Sequence, residues 1–257
     1  MADLPPPPDF YIAAIGRSGS TMLSNWLSDP PTRIVFNEPF FCRPMNSRLL
    51  RIQLSSLGMP VSDSEWAERD ETAQQRFQRL MGSRLAGRSW AAKEVLCEEH
   101  RAMTEAFAPP KVLVSVRNIV DVALSFFEKH RLQDNLDRFG DDWVVEHCLR
   151  ESAGIVDYIA SLESGDLPYF VVRYEDLVAS AQMRSQVTDF TGWPGGGDAS
   201  ANLNAFGRGF EADRHGQSIS PMRSQGSRNL SISLQNLASE IGERCARYQT
   251  VFGYRPG

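Results

Sequence analysis

Residues 16–21 read Gly-Arg-Ser-Gly-Ser-Thr, between an apolar run at 10–15 and a segment, 20–28, that places Met22, Leu23, Trp26 and Leu27 on one helical stripe. A strand, a glycine-bearing turn and a helix start make an anion site. The first N–H groups of the helix are unpaired there and carry the positive end of its dipole. Gly16, Arg17, Ser18, Gly19, Ser20 and Thr21 are therefore candidate phosphate or sulfate ligands. They do not complete an ATP-type phosphate loop: with Gly19 and Thr21 aligned to the end of that motif, Ser20 stands in place of its lysine and Ala14 in place of its first glycine. This disfavours a magnesium-dependent kinase or triphosphatase. Alone, the stretch is equally compatible with a tight turn whose Ser and Thr cap a helix.

A second motif changes the balance. In VLVSVRNIVDVALSFFEKH (112–130), Arg117 ends an apolar strand and Ser125 follows eight residues later in a helical segment. A guanidinium and a hydroxyl brought together in this way can bind a second phosphate through charge-assisted hydrogen bonds. Two ordered anion motifs are far more specific than either one.

Together these motifs resemble those of the sulfotransferases that use 3′-phosphoadenosine 5′-phosphosulfate (PAPS). GRSGSTML (16–23) is similar to the family's 5′-phosphosulfate loop in its carbohydrate and tyrosyl-protein branches, and VRNIVDVALSFF (116–127) to its 3′-phosphate motif. FVVRYEDLV (170–178) resembles a later strand and turn, in which Tyr174 matches a residue near the adenosine, and VFGY (251–254) resembles the family's closing segment. The proline usual just after Arg-Asn is Ile119 here. The resemblance implies PAPS as co-substrate with no metal. It also implies a late basic loop, Arg223, Gly226 and Arg228, that clasps the 3′-phosphate, a solvated loop being the alternative.

Sulfuryl transfer to a hydroxyl needs a base, in-line positioning and stabilisation of charge on the leaving phosphate oxygen. Glu38, at the end of the second apolar run and 21 residues after Arg17, matches the glutamate that the resemblance makes catalytic. Ligands of open α/β sheets bind at the strand ends where Glu38 would lie. The alternative is a glutamate that pairs with a cation or fixes the Pro39 turn. Lys93 resembles the family lysine near the bridging oxygen, with a snorkelling surface lysine as the alternative. Arg17 can reach the transferring group from its own loop. Glu94 is a second carboxylate, which strand alternation points away from Lys93. The histidine of the steroid and phenol branch is Val95 here, and His100, His130, His147 and His215 match no catalytic position.

Continuously apolar runs at 10–15, 32–36, 89–93, 111–116 and 168–172 suit strands buried on both faces of a parallel sheet. Helical patterns fall between them at 20–28, 72–86, 98–107, 119–132, 141–163, 176–190 and 232–250. This predicts a P-loop-like three-layer α/β fold with a mainly parallel central sheet: an extended lead-in at 1–9, then a single domain over 10–257. Residues 39–70 and 192–230 read as irregular, with GWPGGGD (192–198) as a flexible break. Phe40, Phe41 and Trp66 are candidate acceptor-pocket residues or, equally, core.

With 27 basic and 32 acidic residues, the net charge of −5 argues against a nucleic-acid surface and leaves room for a local basic pocket. No apolar run is long enough to span a bilayer and the start lacks a secretory pattern, so a cytoplasmic protein is expected. Cys42, Cys97, Cys148 and Cys245 lack metal spacing and are expected as free thiols. The expected partner is a small hydroxylated acceptor, a carbohydrate or natural-product alcohol. A nucleotide-binding module without catalysis is the rival that Glu38 and Lys93 weigh against.

Overall fold

The computed structural model describes residues 6–43, 47–201, 219 and 231–254. Strands β1 (Tyr11–Ala14), β2 (Arg33–Asn37), β3 (Ser89–Glu94), β4 (Val112–Val116) and β5 (Tyr169–Arg173) form one parallel sheet in the order β2-β3-β1-β4-β5. Each lies within one residue of an expected apolar run. The order reverses around β1, so the crevice of this sheet opens above the carboxyl end of β1, where the Gly-Arg-Ser-Gly loop emerges.

The described helices are α1 (Ser20–Leu27), α2 (Arg48–Ser56), α3 (Asp63–Trp66), α4 (Ala73–Met81), α5 (Cys97–Phe107), α6 (Ile119–Leu132), α7 (Asp141–Ser164), α8 (Tyr174–Ala179), α9 (Ala181–Thr191), α10 (Ile232–Arg244) and α11 (Ala246–Val251). Strand alternation divides the core in two. Ile12, Val35, Ala91, Leu113 and Val172 pack with Leu23 and Leu27 of α1, Leu177 of α8 and Val187 of α9. Tyr11, Ala13, Phe36, Trp90, Ala92 and Val114 pack on the other face with α4 to α7, α10 and α11. This is the expected three-layer α/β arrangement.

Several expectations need correction. Residues 39–70 hold α2 and α3, each started by a serine: the Ser47 hydroxyl accepts from the Leu50 amide, and Ser62 with Glu65 forms a reciprocal capping box. The helix expected over 72–86 stops at Met81. The segment 176–190 is two helices, because Ser180 ends α8 and caps α9 by accepting from the Met183 amide. Cys245 likewise separates α10 from α11. Residues 192–198 are fastened to α1: the Gly197 amide donates to the Trp26 carbonyl at 2.9 Å, and a Cβ at Gly195 would lie 1.9 Å from the Trp26 ring. Glycine here permits close approach.

Phe41 is core, packed edge-on against Phe77 at 4.9 Å between ring centres. Trp66 also packs against that core, with the Arg51 guanidinium over its ring. Of the three aromatic candidates for the acceptor pocket, Phe40 alone lines the cleft described next. The four cysteines are free thiols.

Candidate active site

A cleft of about 340 Å³ opens at the carboxyl edge of the sheet. Its lining includes Gly16, Arg17, Gly19, Ser20 and Thr21 from the first motif, Arg117 and Ser125 from the second, and Glu38 and Tyr174. Residues far apart in sequence thus meet because β1, β2, β4 and β5 all end on the same side.

The loop after β1 is shaped by two left-handed residues. Gly19, at φ 83°, caps α1, and a Cβ there would lie 2.3 Å from the Tyr174 ring, so glycine is required by both backbone and packing. Arg17 adopts φ 67° without being glycine, a backbone state that non-glycine residues hold only when their surroundings impose it. Its Nε donates to Ser125 Oγ at 2.8 Å, linking the two motifs directly. Burial, and then the nearby Arg117, pull the Arg17 guanidinium down to about 10, which still leaves it charged at neutral pH. Ser18 and Ser20 are buried within the loop, and the Ser18 and Ser115 hydroxyls lie 3.5 Å apart.

Arg117 is 8% exposed and stacks its guanidinium 4.6 Å from the Tyr174 ring centre. Nη1 reaches the Arg17 carbonyl at 3.4 Å and Nη2 lies 3.8 Å from Asp121, while Nε is buried without a hydrogen-bond partner. The Tyr248 hydroxyl donates to the Arg117 carbonyl at 2.8 Å and accepts from its amide at 3.3 Å. Tyr254 donates to Glu175 at 2.9 Å, and Glu175 in turn accepts from the Asn118 amide at 3.0 Å. The closing VFGY segment therefore braces the second motif from behind.

The third element is an ion pair. Asn37 and Lys93 are partners across β2 and β3, so Glu38 emerges beside Lys93, and its amide donates to the Lys93 carbonyl at 2.7 Å. Lys93 shares the sheet face of Ala91, the α1 face, and is fully buried. Its Nζ donates to Glu38 Oε1 at 2.7 Å and to Thr21 Oγ1 at 3.3 Å. The Glu38 side chain keeps 16% exposure and lines the cleft, so the carboxylate faces the cavity and the ammonium stands behind it. Lys93 is not a snorkelling surface lysine. Both Glu38 and Phe40 have positive φ, 51° and 50°, and the Ser47 hydroxyl donates to the Glu38 carbonyl at 2.7 Å.

Glu94 points to the opposite face, as alternation requires, and lies outside the cleft lining. His100 is structural: Nδ1 meets the Tyr11 hydroxyl at 2.7 Å and Nε2 the Ala14 carbonyl at 3.1 Å. His130 and His147 are buried in an aromatic group between α6 and α7. Arg223, Gly226, Arg228 and His215 lie outside the described residues. Sequence reasoning missed Lys129, Trp143 and His147, which also line the cleft. A signal was present: Lys129 is one helical turn beyond Ser125, and Trp143 and His147 are themselves one turn apart.

Neither a protein-family model nor a curated protein matches the sequence. Solved structures do. The sulfotransferase domain of the Synechococcus PCC 7002 olefin synthase superposes with a TM-score of 0.64 at 18% identity, covering 99% of this chain and 98% of its own. A sulfotransferase domain from the curacin biosynthetic pathway gives 0.60 at 18% identity over 100% of both chains, and a sulfotransferase from Alicyclobacillus acidocaldarius 0.52 at 15% over 96% of both. The chain has the sulfotransferase fold. That fold places the loop after β1, the Arg117 strand end and the Glu38–Lys93 pair around one crevice. Among the described residues no helix is long and apolar enough to cross a membrane.

Proposed function

We propose that this protein is a PAPS-dependent sulfotransferase that acts on a hydroxyl of a small carbohydrate or natural-product alcohol. The observation that carries the reading is the single cleft in which Arg17 joins the loop after β1 to Ser125, with Lys93 and Glu38 at its inner end. Arg17, Arg117 and Lys129 bring three positive charges to the cleft lining, while its acidic lining residue, Glu38, is already paired with Lys93. Such a surplus suits a polyanionic nucleotide. The buried, unpartnered Nε of Arg117 fits an additional acceptor oxygen such as that of a 3′-phosphate.

In this reading the first amides of α1, with Ser20 and Thr21, hold the 5′-phosphosulfate, Arg117 and Ser125 hold the 3′-phosphate, and Tyr174 borders the adenosine. The co-substrate supplies the sulfuryl group, which passes to the acceptor oxygen as its bond to the phosphate oxygen breaks and the bond electrons stay with 3′-phosphoadenosine 5′-phosphate. Glu38 takes the acceptor proton. Lys93, between Glu38 and Thr21, orients that carboxylate and, from behind it, adds a positive charge to the end of the cleft where charge develops on the leaving oxygen. Arg17 supports the same charge from the loop.

The test is calorimetry with 3′-phosphoadenosine 5′-phosphate and adenosine 5′-phosphate, together with an acceptor screen using PAPS labelled in its sulfur. Much tighter binding of the bisphosphate and a labelled product are expected. Equal affinities with magnesium-dependent turnover of ATP would replace this reading with a kinase.

A further inference from the structure

Part of the cleft is walled by aromatic rings, Phe126 from the second motif beside Ser125 and the other two from α7. Phe126, Trp143 and His147 line it, with His147 stacked on Trp143 at 4.6 Å and 12° and meeting Phe126 edge-on at 4.6 Å. Phe139 and His130 back this wall from behind, stacked on each other at 4.6 Å. Two polar groups interrupt the wall. Lys129 is half-buried over the Phe126 ring, and among the described residues no carboxylate lies within ion-pair distance of it. His147 is 6% exposed, and its Nδ1 lies 2.9 Å from Arg150 Nη2. A guanidinium only donates, so Nδ1 accepts and the ring proton sits on Nε2, which is buried and has no partner.

The electrostatics agree with that tautomer. Burial, then Arg150, Lys129 and His130, pull the His147 imidazole down to about 4, so it is neutral at physiological pH. Glu151 lies 4.0 Å from Nδ1 but is engaged by Arg150 at 3.1 Å. Burial and then Arg17 lower the Lys129 ammonium, and Glu38 attracts it, which puts Lys129 within electrostatic reach of the proposed base.

The geometry points to an acceptor subsite in which Lys129 and the His147 Nε2–H bind an anionic group while Phe126 and Trp143 pack against the acceptor body. The acceptor class is thus an alcohol that carries its own carboxylate or phosphate on an apolar or ring-shaped frame. This rests on the sulfotransferase reading and sharpens it. A neutral alcohol would leave a cation and a buried N–H donor without partners, whereas an acid satisfies both close to Glu38.

The test compares matched acceptors, 4-(hydroxymethyl)benzoate with its methyl ester and 4-(hydroxymethyl)phenyl phosphate with 4-(hydroxymethyl)phenol, in the wild type, Lys129→Met, His147→Phe and His147→Gln. The wild type is expected to favour the anionic member in kcat/KM by roughly 10- to 100-fold, through KM. The stronger arm distinguishes carboxylate from phosphate. Lys129→Met should erase the preference by raising KM for the anionic member towards that of the neutral one, while 3′-phosphoadenosine 5′-phosphate affinity holds. His147→Gln, which keeps an N–H donor, should retain more preference than His147→Phe. Equal kcat/KM for acid and ester in the wild type overturns the proposal, as does a Lys129→Met variant that loses nucleotide affinity instead, since Lys129 would then serve the donor. If neither pair turns over, calorimetric binding of acid and ester to the nucleotide complex decides by the same criterion. Loss of the sulfotransferase reading looks different: no selective binding of the bisphosphate nucleotide by the unmodified protein.

Discussion

Lys93 and Glu94 are neighbours at the end of one strand, both fully buried, and both hold the turn at residues 38–40, yet they work from opposite faces of the sheet. On the α1 face Lys93 meets a carboxylate at 2.7 Å and a hydroxyl at 3.3 Å, so its charge is matched where the cleft begins. On the other face Glu94 Oε1 accepts from the Phe40 amide at 2.6 Å, and Oε2 is buried without a partner. Burial holds the Glu94 carboxyl well above the ordinary carboxylate range, with Glu38 and Glu99 adding to the rise and the Phe40 amide and Lys93 opposing it. The lesson is that identical burial leaves a matched ion pair on one face and a carboxyl that holds its proton more tightly on the other, according to the partner that the pleat supplies. One side of the strand holds an ion pair at the cleft. The other holds the turn.

The sharpest way to break this comparison is to exchange the two carboxylates as targets. Glu38→Gln keeps shape and one acceptor oxygen but cannot take a proton as a carboxylate does, so turnover should fall by about 10²–10⁴. Affinity for 3′-phosphoadenosine 5′-phosphate should barely change. Glu94→Gln should leave turnover within a few-fold of wild type. Steady-state kinetics and nucleotide calorimetry on the same folded preparations check both, and a severe loss in Glu94→Gln with a mild one in Glu38→Gln would reverse the assignment.

Lys93→Met probes the charged side itself. It removes the cation behind the Glu38 carboxylate and beside Thr21, so charge on the leaving oxygen loses a preorganised contact, and turnover should drop by about 10²–10³. Slow hydrolysis of labelled PAPS by water, where measurable, should fall too, because that reaction shares the leaving group. Unchanged hydrolysis would confine Lys93 to orienting Glu38. A smaller effect is expected at Arg117→Ala, which removes a charge-assisted contact of roughly 1.5–3 kcal/mol. Affinity for the bisphosphate should weaken by about one to two orders of magnitude, and affinity for adenosine 5′-phosphate should hold. Loss of both affinities would mean that Arg117 serves the fold through Tyr174 and Tyr248.

The same strand shows how far sequence reaches. Continuous apolar runs located all five strands because a doubly covered sheet leaves no polar face to blur the pattern. Alternation alone also places Lys93 and Glu94 on opposite faces. The two anion motifs were legible because each is local. Lys129, Trp143 and His147 were not found, since their meeting depends on how α6 and α7 cross, and that depends on packing of Phe126, Phe139 and the histidines. Residues 39–70 misled for a different reason: short helices there are specified by the Ser47 and Ser62 caps more than by periodicity.

The smallest expected effect is on stability against pH, and it tests whether Glu94 is neutral. A carboxyl whose folded pKa is raised above its ordinary value of 4.5 binds more protons in the native state than in the unfolded chain between those two values. Stability contributed at this position is therefore present at low pH and lost as pH rises from the ordinary carboxylate range through the folded pKa of Glu94. Glu94→Gln has no proton to lose, so its melting temperature relative to wild type should climb as pH rises across that window and level off above it. His100 and His147 move the other way, being pulled down by burial to about 3 and about 4, so they weaken the fold as acid is added. Because both proteins carry them, their contribution cancels in the difference. Thermal melts of the pair at closely spaced pH values are the measurement. A melting difference that is flat with pH would mean that Glu94 is ionised in the folded protein, and the contrast between the two faces of β3 would then have to be drawn from geometry alone.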